Sequence, residues 1–215
     1  MKGYINFGTC LNSGFMLLIM SVLSLAVATA FTVVRVKTYR LEETSKLYLK
    51  GTSNVNAFTC ECQERYQENT IEAEINGGHV RFRRAELLMR PAVFNCHNRK
   101  IEADLQKALK ADQYPTLKVA LTETWIDPKC LEGGCTDWFD VSAKVQITLA
   151  GNTRNEHIAA KAKSLGNNRF QISGSKALQM TAFGVTPPEA MFGMIKVNDW
   201  INFHFDLSVA VRNNS

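Results

Sequence analysis

The chain has 215 residues, 46% of them hydrophobic and 21% charged, with a formal net charge of +5. Its charges are scattered along the sequence. Without a concentrated basic face to hold phosphates, nucleic acid is not an expected partner.

Residues 1–30 hold one charged side chain, Lys2. Residues 15–27 are almost entirely Leu, Met, Ile, Val and Ala, and Ala28-Thr29-Ala30 follows. This resembles a secretory signal peptide with a small-x-small cleavage site. An uncleaved N-terminal membrane anchor is the alternative, because apolar residues continue to Phe31 and approach the roughly 20 that span a bilayer. Cleavage leaves residues 31–215 as one domain for periplasmic or secreted use, of a size that buries roughly 70% of its unfolded surface.

Strand patterns dominate the rest of the chain. Residues 32–41 set Val34 and Val36 against Arg35 and Lys37, and residues 46–50 set Leu47 and Leu49 against Tyr48 and Lys50. Gly51-Thr52-Ser53-Asn54 reads as a turn before a strand over 56–63. Residues 70–74 and 79–83 flank Gly77-Gly78, a hairpin signal. One helix is expected over about 98–110, with Ile101, Leu105, Ala108 and Leu109 at helical spacing behind Asn98 as N-cap and Tyr114-Pro115 as its stop.

Beyond it, Leu117, Val119 and Leu121 alternate with polar or small residues, as do Val141, Ala143, Val145, Ile147 and Leu149. After the turn Gly151-Asn152-Thr153-Arg154, Ile158, Ala160 and Ala162 share a face, and Phe170 and Ile172 follow. Thr186-Pro187-Pro188 must be a connection, since proline donates no ladder hydrogen bond. Residues 195–197 and the alternation Ile201, Phe203, Phe205, Leu207, Val209, Val211 read as two closing strands turned at Asn198-Asp199. About ten to twelve strands and one main helix make an all-β barrel or sandwich.

Beyond the expected signal lie Cys60, Cys62, Cys96, Cys130 and Cys135. In an exported chain they are disulfide candidates before they are metal ligands or nucleophiles. Cys130 and Cys135 enclose the flexible Leu131-Glu132-Gly133-Gly134 and are the favoured pair. Cys96 then joins Cys60 or Cys62, which leaves one thiol over.

Several segments together resemble the YceI-like family. They are Lys50-Gly51-Thr52-Ser53-Asn54-Val55, the helix end Lys107-Ala108-Leu109-Lys110-Ala111-Asp112-Gln113-Tyr114-Pro115, and Ile147-Thr148-Leu149-Ala150-Gly151-Asn152-Thr153-Arg154. The closing stretch adds Phe183-Gly184-Val185, Pro187-Pro188 and Gly193-Met194-Ile195-Lys196-Val197. The resemblance spans about residues 32–211. Position 182 is Ala where that family more often places an acidic residue. It implies an all-β, lipocalin-like antiparallel β-barrel with one main α-helix, and a lipid or polyisoprenoid held inside.

On that reading the chain is a carrier or sequestering protein and not an enzyme, with no cofactor apart from a bound isoprenoid or other long lipid. An eight-stranded barrel encloses one small ligand when its inward side chains leave room. The candidate lining is Leu117, Val119, Leu121, Val145, Ile147, Phe170, Ile172, Phe203 and Phe205, with Phe183, Met191 and Phe192 near an opening, where methionine adapts to varied chains. The alternative is a cargo-free exported interaction module, because the same apolar rows fill the core of a packed barrel.

The remaining constellations carry less. His79, His97, His157 and His204 lack metal-ligand spacing, so no metal is expected. Ser173-Gly174-Ser175-Lys176 and Cys60-Glu61-Cys62 could serve a hydrolase or a redox enzyme, yet neither has the accompanying motif. Arg81-Phe82-Arg83-Arg84 and Arg90 make a basic stretch that would suit a membrane surface. The sequence leaves the oligomeric state open.

Overall fold

Pairing of every strand edge with another strand removes the exposed ladder that an open sheet leaves. The barrel wall of this chain is built that way. A computed structural model describes residues 33–213 apart from 67 and 132. The expected signal peptide, residues 1–30, lies outside the described residues. In chain order the main strands are β1 (Val33–Leu41), β2 (Lys46–Thr52), β3 (Ala57–Cys62), β4 (Asn69–Asn76), β5 (His79–Met89) and the two-residue β6 (Phe94–Asn95). After them come β7 (Leu117–Ile126), β8 (Phe139–Leu149), β9 (Asn152–Gly166), β10 (Arg169–Gln179), the short β11 (Glu189–Ala190) and β12 (Ile195–Lys196), and β13 (Trp200–Asn213). The helices are α1 (Arg99–Ala108) and the single-turn α2 (Pro128–Leu131).

Eight strands close in the order β1-β4-β5-β7-β8-β9-β10-β13, with β13 returning to β1. All of these pairings are antiparallel. β13 offers one edge to β10 along its length. Its other edge takes β2 over Asn202 to Asp206 and β1 over Val209 to Asn213. β1 and β2 are thus one interrupted strand, and β2 carries β3 and β6 as a flap beyond the closed wall. The expected lipocalin-like all-β barrel is the observed fold.

Register fixes which residues face inward, because directly opposed residues of an antiparallel pair share a face. Val145 stands opposite Leu121, Ile147 opposite Val119, and Leu178 opposite Ile201. Leu117, Val145, Ile147, Leu149, Leu178 and Ile201 are buried in one core cluster with Leu49, Phe183 and Val185. A register shift between Leu121 and Glu123 moves Thr124 onto the inward face, opposite Ala143. The Thr124 hydroxyl is buried there without a hydrogen-bond partner.

α1 begins where Asn98 was expected to cap it: the side chain accepts from the backbone N–H groups of Lys100 and Ile101. It ends earlier than the sequence suggests. Lys110 takes a left-handed φ of 51°, Ala111 N–H donates to Gln106 O at 2.9 Å, and Lys110 N–H donates to Lys107 O at 3.0 Å. That is the paired closure of a Schellman motif, with lysine where glycine is usual. The proline at 115 therefore lies well beyond the helix stop.

The reading of Asn198-Asp199 as a hairpin turn also gives way. β12 pairs with β11, not with β13. Asn198 is instead tied to Thr52, and Asp199 to the 3-10 turn Thr181–Phe183. The side chains of these two polar residues hold neighbouring segments, which a period-two reading does not detect.

Two disulfides join Cys60 to Cys96 and Cys130 to Cys135, leaving Cys62 as the free thiol among the described residues. The first ties the flap strand β3 to the segment that starts α1, and the loop-entropy account gives it about 4 kcal/mol. Such bonds persist in oxidising compartments.

Gly174 sits opposite Phe205 in the β10–β13 ladder, and a Cβ there would stand 2.5 Å from Phe205 Cζ. The ring fills the space a side chain would take. Gly174→Val is expected to lower unfolding stability by about 1–3 kcal/mol through overpacking, read as a fall in the urea midpoint at unchanged slope.

Candidate functional site

An apolar hollow of about 240 Å³ lies at the end of the barrel beneath α1. Its floor is Leu49 of β2, Leu149 of β8, Leu178 of β10 and Ile201 and Phe203 of β13, with Phe58 of β3 at the side. Ile101, Leu105 and Ala108 of α1 form the roof. Val185, Pro188, Ala190, Ile195 and Val197 form the rim. α1 contains no fully buried residue. Ile101, Leu105 and Ala108 pack on the core cluster and border the hollow, and they are only partly buried.

The volume decides what fits. Drug-sized ligands occupy pockets of about 300–1,000 Å³, while an engineered apolar cavity of about 150 Å³ stays dry and takes benzene. A hollow of 240 Å³ thus holds a short stretch of hydrocarbon as it stands. A wider depression of about 450 Å³ near the start of α1 is lined mainly by polar residues, Gln63, Asn95, His97, Arg99 and Glu102 among them. It offers no apolar chain a dry wall.

The twelve residues expected to line a cavity fall into different places. Phe203 is the one that borders the hollow. Leu117, Val145 and Ile147 are buried in the core cluster of the barrel, with Val119 and Leu121 partly buried beside them. Phe170, Ile172 and Phe205 are half-buried on inward rows, aligned through Ile172–Leu207, Phe170–Val209 and Gly174–Phe205 pairing. Phe183, expected near an opening, is only 1% exposed. Met191 and Phe192 are exposed on the loop joining β11 to β12, whose flanking residues form the rim.

Leu49, Phe58, Leu178 and Ile201 were not singled out by sequence, because a period of two marks a core row without marking where that row ends. Ile101 and Leu105 carried a signal, the helical stripe, which reads equally as core.

Level with Phe203 stands a charged pair. Lys176 lies opposite Phe203 on β10, and Glu156 opposite Val145 on β9, so both belong to inward rows. Lys176 Nζ is 2.6 Å from Glu156 Oε2 and donates to His157 O at 3.0 Å. The registered β9–β10 ladder ends at Gly174–Ala160, which leaves that carbonyl open to the lysine. Ser173 is on the opposite face of β10 from Lys176, so the two make no catalytic dyad.

Cys62 is partly buried, and burial pushes its thiol pKa up despite the Tyr66 hydroxyl 3.6 Å away. Burial likewise raises Tyr66. Neither is an activated nucleophile. His204, stacked on Tyr48 with ring centroids 5.0 Å apart, has its pKa lowered by burial and by Lys50. His79 meets Glu123 at 2.9 Å and stacks on Trp125. Of the basic stretch, Arg83 pairs with Glu74, Arg84 with Glu72 and Arg90 with Glu64, so its charge is largely answered within the chain.

Fold and hollow together define a lipocalin-like antiparallel β-barrel with a helix-roofed apolar pocket. Solved structures share this fold. The chain superposes on a polyisoprenoid-binding domain from Saccharophagus degradans, implicated in plant cell wall breakdown, with a TM-score of 0.58 and 12% identity over 81% of this chain and 98% of that one. It also matches BcnA of Burkholderia cenocepacia, with a TM-score of 0.54 and 14% identity over 77% of this chain and 96% of that one. A YCEI protein of Campylobacter jejuni aligns at a TM-score of 0.48 and 14% identity over 67% of this chain and 80% of that one. No family model and no curated protein sequence matches. The lipocalin-like barrel that the resemblance implied is met at the level of the fold by the first two of these structures.

The rim segment depends on Asp199. Its carboxylate accepts from Thr181 N–H at 2.8 Å, from the Thr181 hydroxyl and from Gln179 Nε2 at 2.8 Å, and the Thr181 hydroxyl bond is the main cause holding its pKa below the usual Asp value. A lowered folded pKa means the contribution is complete above the unfolded value, about 3.9, and fades as pH falls through the folded one. The stability gap between wild type and Asp199→Asn should therefore be constant above about pH 5 and narrow below about pH 4, as read from denaturant midpoints.

Proposed function

We propose that this chain is an exported carrier or sequestering protein that takes up a long apolar lipid, such as a polyisoprenoid, through the pocket beneath α1. The observation that carries the reading is the unfilled space between an amphipathic helix and a floor of Leu49, Leu149, Leu178, Ile201 and Phe203. Each methylene moved from water into such a site contributes about 0.8 kcal/mol. The pocket as it stands takes one end of a long molecule, and the remainder extends outward past the rim.

The Saccharophagus degradans domain that shares the fold is described as polyisoprenoid-binding, which supports the cargo class. Export is supported by the two disulfides and by the apolar segment that resembles a signal peptide. No described helix is long and apolar enough to cross a membrane.

A second reading is the cargo-free interaction module. It draws on the tight core of the barrel, where Leu117, Val145 and Ile147 are each less than 5% exposed. Native mass spectrometry of gently purified protein separates the two. A reproducible added mass that organic extraction removes, and that Ala108→Phe abolishes by filling the pocket, is the outcome expected of a carrier. A bare polypeptide mass from several expression hosts would establish the module instead.

A further inference from the structure

We propose that the loop Met191-Phe192-Gly193-Met194 is an apolar wedge that inserts into the interfacial layer of a lipid bilayer and seats the pocket mouth on it. The inference rests on reading the pocket as a lipid site, and its test is separable from that reading. Phe192 has 107% relative exposure, and Met191, Met194 and the neighbouring Val55 are each more than half exposed. A fully exposed phenyl ring at the tip of an ordered hairpin satisfies nothing within the chain.

The backbone makes the same point independently. Gly193 N–H donates to Ala190 O at 3.2 Å, closing a β-turn within the four-residue loop, and its central residues, Met191 and Phe192, have φ of 53° and 55°. A turn left-handed at both positions favours Asn-Gly, since side chains strain there. Here it presents methionine and phenylalanine. Strained backbone concentrates at functional sites, and two costs, strain and apolar exposure, fall on the same two residues.

The wedge is rigidly coupled to the pocket. Asn54 Nδ2 donates to Met194 O at 2.8 Å, Lys196 N–H donates to Asn54 Oδ1 at 2.9 Å, and Asn54 N–H donates to Lys196 O at 3.1 Å. Glu189, Ala190 and Ile195 of the same hairpin line the hollow. Tip and mouth therefore move together.

A bilayer fits this tip better than a protein does. A specific protein interface covers roughly 800 Å² on each partner, whereas this is a point of three side chains. Interfacial segments sink apolar residues about 5–10 Å into the headgroup boundary. The charges beside the tip cancel, with Lys196 Nζ 3.3 Å from Glu189 Oε1, so attachment to neutral phosphatidylcholine with little salt dependence is expected. The paired arginines of the β4–β5 hairpin do not line the pocket and take no part.

The test uses the full chain carrying Phe192→Trp, with wild type supplying the background of Trp125, Trp138 and Trp200. On phosphatidylcholine vesicles bearing brominated acyl chains, the added emission should shift to the blue and lose most of its intensity to bromine, at low and high salt alike. The same should hold with Ala108→Phe added. That variant fills the pocket, so insertion without cargo would leave the wedge standing even if the carrier reading failed. The inference is overturned if the vesicles do not bind the chain. It is equally overturned if they bind it while residue 192 keeps the emission of a tryptophan in water, which would place the attachment elsewhere in the chain. A blue shift without vesicles, accompanied by a doubled mass in solution, would assign the tip to a second copy and overturn it too.

Discussion

Closure through β13 is the constraint on which the rest depends. A fourteen-residue strand satisfies β10 on one edge and both β1 and β2 on the other, so no edge of the wall is left open at that seam. Its period-two alternation puts Ile201 and Phe203 inside, and its ring at Phe205 lies over Gly174 where a side chain on β10 would collide. Once eight strands close, the interior has a fixed width, and side chains of Leu, Val and Ile size fill it. A hollow is then possible only where a row runs out.

The rows run out beneath α1. A helix laid across a barrel end covers the rim without reaching into the middle, and its length decides how much it seals. Asn98 starts α1 directly after Cys96, which the disulfide holds to β3, and the left-handed Lys110 stops it after ten residues. The Schellman closure at Lys110 turns the chain away and keeps the helix from extending further. Two local devices, an N-cap and a C-terminal turn, thus set the extent of the helix whose apolar stripe covers the pocket.

Most of the wall was legible in the sequence because period-two alternation is a direct image of a strand with one dry face. Val141 to Leu149 and Ile201 to Val211 read this way without ambiguity. The helix was legible through Asn98, and the disulfide partners through spacing, apart from the choice of Cys60 over Cys62 that only the β2–β3 register decides: Cys60 faces inward opposite Leu49 and is fully buried. The pocket was not legible. Alternation marks Leu117, Ile147, Leu178 and Ile201 alike as core, and position along the barrel axis, which separates packed middle from hollow end, has no one-residue signature. The bulge that turns Thr124 inward, and the side-chain ties of Asp199 and Asn198, are equally invisible to periodicity.

If the hollow takes a lipid as proposed, the pair Lys176–Glu156 favours the hollow end over the middle as the place for it. Both side chains are 24% exposed although they stand on inward rows, so water reaches them. A hydrocarbon pushed past Phe203 would have to displace that water and leave an ion pair in an apolar surround, and the desolvation of two charges outweighs what a few methylenes return. The pair therefore sets the depth of the site. A molecule longer than the hollow extends outward past the rim, toward Pro188 and Ile195, and the chemistry of that rim governs what the protruding part meets.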